Sequence, residues 1–202
     1  MAFQQKFPQA LIDRLRERWS TDRAQQIIQQ IIEDLRNNGE TWPALIRNLW
    51  PDSELPITEA YVADLRGINL DNMDLSKLDF CFADLRYASF RGCNLNKTIF
   101  QSADISHCDF TGSNMRAADL FEVKAYRANF TFCTLTKAMM MGSDFSESTF
   151  RKAVMHGVVL DKSNLSGCFL TGADLADAEL LFTQMPEGFR LELYKGKGFD
   201  MS

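Results

Sequence analysis

The 202 residues include only two histidines and five cysteines to serve as imidazole or thiolate metal ligands, and no CxxC or HExxH spacing groups them. An odd number of scattered cysteines argues against both a disulfide framework and a structural zinc site. No apolar run approaches the roughly 18 to 20 residues of a membrane span, and the opening MAFQQKFPQA lacks the apolar core of a signal peptide, so a cytoplasmic location is the expectation. A Gly-rich phosphate loop, a GxSxG elbow and a calcium-binding nonapeptide are also missing. The net charge of -5 is too mild to indicate nucleic acid or a membrane surface as a partner. These absences predict a non-enzyme with no cofactor and no metal.

What is present is a period. In ADLRGINLDNMDLSKLDFCFADL a large apolar residue stands at every fifth position: Leu65, Leu70, Leu75, Phe80, Leu85. Five residues advance an α-helix by roughly 140°, which scatters these side chains around the cylinder. A flat strand sends successive members of an odd-spaced series to opposite faces. The chain must therefore bend within each five-residue unit. The series continues without insertion to Leu180, broken only at Ala125, and makes 24 consecutive units from Ala63 to Phe182. An internal repeat of this length overrides local propensity and predicts a solenoid.

A second set, two residues before each large one, is mostly small: Ala63, Ala83, Ala88, Cys93, Ala103, Cys108, Ser113 and onward to Cys168 and Ala178. Residues two apart on an extended segment point the same way, so both sets face inward. Asp or Asn often precedes the large residue, and glycines such as Gly67, Gly92 and Gly142 come two after it, as a tight corner requires. Four cysteines occupy the small inward position and are expected to be reduced packing residues; Cys81 and both histidines fall outward. Around Val123 and Ala125 the large and small positions are exchanged. Either Val123 and the stacked Phe145 fill the space internally, or the surface is reshaped to present Phe121, Tyr126 and Arg127.

The units ADLRG at 63, ADLRY at 83, ANFTF at 128 and ADLAD at 173 resemble the A(D/N)LXX signature of the pentapeptide repeat family. That resemblance implies a mainly β fold, a right-handed quadrilateral β-helix with four units per coil and about six coils. Residues twenty apart then stack, and Phe90, Phe110, Phe130 and Phe150 form one interior ladder. The expected role is a protein-protein interaction scaffold. Some family members act as DNA mimics that bind DNA gyrase or topoisomerase IV and protect them from inhibitors.

Outside the repeat the period is helical. Leu11, Leu15 and Trp19 fall four apart, and Ala24, Ile27, Ile28, Ile31, Ile32 and Leu35 form one stripe that starts near Thr21 and ends near Asn37. A third helix is expected over Pro43 to Leu49. The predicted organisation is an α-helical cap or interaction domain over 1–62, the solenoid over 63–182 and a C-terminal cover over 183–202.

One set of units, centred on Phe80, Phe100, Leu120, Met140, Leu160 and Leu180, carries apolar residues where water is expected. The candidate interface is Ile99, Phe121, Met139, Met141, Val159 and Leu181, rimmed by Asp79, Asp119, Glu122, Asp161 and Glu179, with Tyr126 and Arg127 as further candidates. A cover for this strip is expected from the N-terminal helices, a second copy of the chain, or a foreign protein. The helices are favoured because their own stripe also needs burial.

Overall fold

The computed structural model describes residues 8–37, 39 and 63–190. Two helices precede the solenoid. Helix α1 spans Gln9–Glu17 and α2 spans Asp22–Arg36. Thr21 caps α2 by accepting the backbone N–H of Ala24 at 3.2 Å, and Gly39 closes its other end by donating to the Asp34 carbonyl at 2.8 Å. The helix expected over 43–49, Trp42, Trp50, and Leu191 and Leu193 of the expected C-terminal extended segment lie outside the described residues.

From Ala63 the chain forms a right-handed β-helix-type solenoid. Strand β1, Ala63–Asp64, pairs in parallel with β2, Ala83–Asp84, and the same register of twenty residues runs on as bridges from Asn69↔Ser89 to Asn164↔Gln184. Each unit bonds to the next coil through several backbone groups. The N–H of Leu70 donates to the carbonyl of Ser89 at 2.9 Å, and the N–H of Ser89 donates to the carbonyl of Ile68 at 2.8 Å. Within the unit a β-turn closes on the large residue, as when the Ala83 N–H donates to the Phe80 carbonyl at 3.2 Å. The third residue of every such turn has positive φ. Seven of these residues are glycines, Gly67 through Gly172, and seventeen are not, which together account for the 24 units. A left-handed non-glycine residue costs roughly 1 kcal/mol or more. The bonding between coils must therefore dictate the bend, since most of these residues would not choose it.

The aspartates and asparagines before the large residues serve this turn. Asp79 Oδ1 accepts the Cys81 N–H at 2.8 Å, and the same contact recurs at Asp74, Asp104, Asp119, Asn129, Asp144 and Asp174. Inside, the rings of Phe90, Phe110, Phe130 and Phe150 stack within 6° of parallel at centroid separations of 4.9, 5.1 and 4.8 Å. Val123, Ala125 and Phe145 are all buried, and Phe145 packs edge-on against Phe130 and Phe150. The exchanged unit is thus filled from within.

The small inward position has a second use that packing alone does not predict. The thiols of Cys93, Cys108, Cys133 and Cys168 donate to the carbonyls of Leu70, Leu85, Phe110 and Phe145 at 2.8 to 2.9 Å. Thr98, Ser113, Ser143, Ser148 and Ser163 place hydroxyls on equivalent carbonyls. Burial pushes Cys93 up to about 11 and Cys133 and Cys168 to about 12. At Cys81, half-buried, burial and then the Asp79 hydrogen bond raise it to about 12. Thiolate is the reactive form, so a chromogenic disulfide reagent at about pH 8 should react slowly with the folded protein and count five thiols once it is unfolded. Fast release of two or more before unfolding would contradict this burial.

Candidate functional site

The two helices pack onto the first coil. Ile28, Ile31, Ile32 and Leu35 of α2 are buried in one cluster with Leu65, Ile68, Leu70 and Leu75, and Arg36 donates to the Asp74 carbonyl at 2.8 Å. Helix α1 lies beside them. Its Ile12 and Leu15 pack on Tyr87, and a Cβ on Gly67 would lie 2.7 Å from the Leu15 carbonyl carbon, so α1 needs a glycine beneath it. The apolar strip is therefore not covered by the described helices, contrary to expectation. Their stripe is consumed by the open end of the solenoid, where edges and core side chains would otherwise meet water.

An ion-pair ladder fastens this docking. Arg18 reaches both oxygens of Asp64, at 3.0 and 2.8 Å, and Arg66 reaches the same two at 2.9 and 2.8 Å. Trp19 Nε1 and Arg18 Nη2 both donate to the Arg66 carbonyl at 2.9 Å. Arg66 continues to Asp84 at 3.6 Å, and Arg86 bonds Asp84 at 2.6 Å. Burial would raise Asp64, but the Arg66 and Arg18 guanidiniums outweigh it and hold its carboxyl well below the usual carboxylate range. At Asp84 burial wins over Arg86 and the carboxyl is raised. Arg66 is only 1% exposed, although its place after a large residue reads as an outward one.

The candidate interface residues fall into two neighbouring columns. Asp79, Ile99, Asp119, Met139, Val159 and Glu179 bridge one to the next, coil by coil. Cys81, Gln101, Phe121, Met141, Asp161 and Leu181 form the column across the turn, joined by bonds such as Glu122 N–H to the Met141 carbonyl at 3.0 Å. Met139 is 46% exposed and Leu181 60%, while Ile99, Phe121, Met141 and Val159 are half-buried. Phe82 and Phe182 stand exposed at the two ends of the adjoining turn column. The strip is interrupted by Gln101, and its acids do not all form the expected rim: Asp119 lies between Ile99 and Met139, and Asp161 between Met141 and Leu181 in the second column.

Tyr126 and Arg127 lie elsewhere, on the units stacked through Leu85, Ile105, Ala125 and Phe145. Arg127 Nε and the Tyr126 hydroxyl both bond Glu147, at 2.7 and 3.1 Å, and the Arg127 guanidinium lies 4.9 Å from the Tyr126 ring. His107 stacks on Tyr87 at 4.7 Å and meets Tyr126 edge-on, so it is half-buried in an aromatic column rather than free in water. His156 is exposed and bonds Asp174 at 2.5 Å. Among the described residues no group of three or more His, Cys, Asp or Glu could hold a metal ion, and no helix is long and apolar enough to cross a membrane.

Comparison with known proteins places this geometry. The profile described as Pentapeptide repeats matches in eight copies within residues 63–187. No curated protein matches. Among solved structures, a pentapeptide repeat protein, Rfr23, from the cyanobacterium Cyanothece 51142 is 18% identical, with a TM-score of 0.49 over 61% of this chain and 84% of that one. QnrB1, a plasmid-mediated fluoroquinolone resistance protein, is 14% identical over 69% of this chain and 89% of its own, with a TM-score of 0.35. A pentapeptide repeat protein from the Arabidopsis thaliana thylakoid lumen is 19% identical over 64% and 76%, with a TM-score of 0.31. The repeat match covers more than half of the sequence and coincides with the turns, inward columns and twenty-residue register: this chain belongs to the pentapeptide repeat family.

Proposed function

We propose that the protein is a cytoplasmic, non-enzymatic interaction scaffold that binds another protein along the strip Ile99, Phe121, Met139, Met141, Val159 and Leu181. In this reading a four-sided solenoid of about six coils over 63–182 presents the strip, residues 1–62 cap it at one end, and 183–202 cover the other. The observation that carries the reading is the set of apolar side chains at wet positions, with Met139 46% exposed and the two described helices packed on the first coil instead. Exposed apolar surface of this kind marks an interface. Five acids, Asp79, Asp119, Glu122, Asp161 and Glu179, against Lys162 call for a partner whose apolar side chains are interspersed with lysine or arginine.

Met139→Glu tests the interface. The residue is exposed, so its change should leave unfolding within about 0.5 kcal/mol of wild type, while a partner captured by the wild-type protein from its host should be lost. Retention of every captured protein by the variant would remove the strip from consideration. Sedimentation of both forms distinguishes a second copy of the chain, which the variant would release as monomer. The DNA-mimic alternative, with DNA gyrase or topoisomerase IV as partner, is checked by a supercoiling assay. B-DNA presents about one charge per 1.7 Å, and the cations Lys77, Lys97, Arg116 and Lys137 on the neighbouring units count against such mimicry.

A further inference from the structure

The corner between α1 and α2 overhangs the first coils, and beneath it lies a half-open cleft of about 490 Å³ that is separate from the strip. Sites of roughly 300 to 1,000 Å³ hold small molecules. Arg16 lines its roof, Asn69, Ser89, Arg91 and Asp109 its wall, and Tyr87 its floor. The roof is held in place: the Trp19 and Ser20 N–H groups fold back on the carbonyls of Arg16 and Glu17 at 3.2 and 2.9 Å, and α1 rests directly on Gly67. The cleft is thus formed before anything enters it.

Its charge follows from which groups are already occupied. Asp109 is the only acid among the described residues of the lining. Its Oδ1 accepts the Thr111 N–H, the Thr111 hydroxyl and Asn129 Nδ2 at 3.0, 2.5 and 3.2 Å, and its Oδ2 is paired with Arg91 at 3.1 Å. The Ser89 hydroxyl is committed to Asp71 at 2.5 Å. Arg16 differs: its side chain makes no hydrogen bond or ion pair with any described residue. Asn69 Oδ1 accepts the Asp71 N–H at 2.9 Å, which leaves the side-chain N–H groups on Asn69 Nδ2 as donors. An entering molecule meets one unpaired cation, unpaired amide donors and a carboxylate already neutralised, beside an aromatic ring packed by Ile12 and Leu15.

We propose that this cleft binds a small organic anion. Arg16 pairs with its carboxylate or phosphate oxygens, Asn69 Nδ2 donates to them, and the apolar body of the ligand lies toward Tyr87. Benzoate and phenyl phosphate serve as probes for the two anionic groups, titrated calorimetrically into the full chain. At least one should bind saturably, and the stronger binder names the group. Arg16→Gln should weaken it about tenfold or more, the loss of one charge-assisted hydrogen bond. Because the Arg16 side chain is exposed and bonds no described residue, this variant should fold as wild type. Asn69→Asp keeps the acceptor for the Asp71 N–H but replaces the donors with a negative charge, and should abolish binding. Lys137→Gln, a distant surface change, should bind as wild type. Failure of both probes to bind, binding that Arg16→Gln leaves unchanged, or equal weakening by Lys137→Gln overturns the proposal.

Discussion

Phe130→Ala should lower the free energy of unfolding by about 3 to 5 kcal/mol, the range for truncating a buried phenylalanine. The upper half of that range is expected. Phe130 is fully buried and touches three rings: Phe110 and Phe150 stacked at 5.1 and 4.8 Å, and Phe145 edge-on at 5.8 Å. Aromatic pairs of this geometry add roughly 0.5 to 1.5 kcal/mol beyond burial. Collapse to fill the hole is opposed by the backbone, because each coil is bonded to its neighbours at every unit. Denaturant unfolding measures the loss. A change below about 1 kcal/mol would mean that the ladder is not a continuous core.

Asp64→Ala should cost a comparable amount, about 3 to 5 kcal/mol, because it leaves Arg66 buried without its nearest anion. The damage should concentrate at the cap. Arg18 would lose both bonds to Asp64, and the Arg66 carbonyl that receives Trp19 would lose its fixed setting. Limited proteolysis should therefore cut α1 and α2 before the solenoid. The effect also has a pH signature. The folded carboxyl is depressed below its unfolded value of about 3.9, so its contribution is fully present above that value and declines as pH falls through the folded pKa. The difference between wild type and variant should be constant above about pH 5 and shrink in stronger acid. A gap that widens on acidification would place the carboxyl's shift in the opposite direction. Asp84, whose carboxyl is raised, works against Asp64: its protonated form is favoured in the fold, and its ionisation at higher pH removes stability.

The solenoid was legible because its signal is carried by every unit. Leu65 to Leu85 establish the bend, Asp79 and its equivalents the turn, and Phe90 to Phe150 the ladder, each confirmed by bonds that repeat at the same offset. Contacts made once were not legible. Arg66 and Tyr87 stand at positions that the repeat directs to water, yet both are buried: Arg66 beneath Arg18 and Trp19 in the corner after α1, and Tyr87 between Ile12 and Leu15 of α1 and the stacked ring of His107. No period in residues 9–36 states where those helices land; a clue exists in Gly67, where the approach of another backbone leaves no room for a side chain. The cysteines were half legible. Their spacing places them inside, but the carbonyl each thiol serves lies 23 residues earlier, a distance that acquires meaning only after the chain has coiled.

The twenty-residue register makes length a discrete variable. Removing one five-residue unit would keep every corner intact, yet shift each later residue by a quarter of the register, so that Met139 and Val159 would no longer follow Ile99 in one column. Removing twenty residues would shorten the rod and leave all columns aligned. Gene-level insertions and deletions are thus sorted by arithmetic: steps of five preserve a foldable chain and scramble its surface, and only steps of twenty preserve the message written along a face.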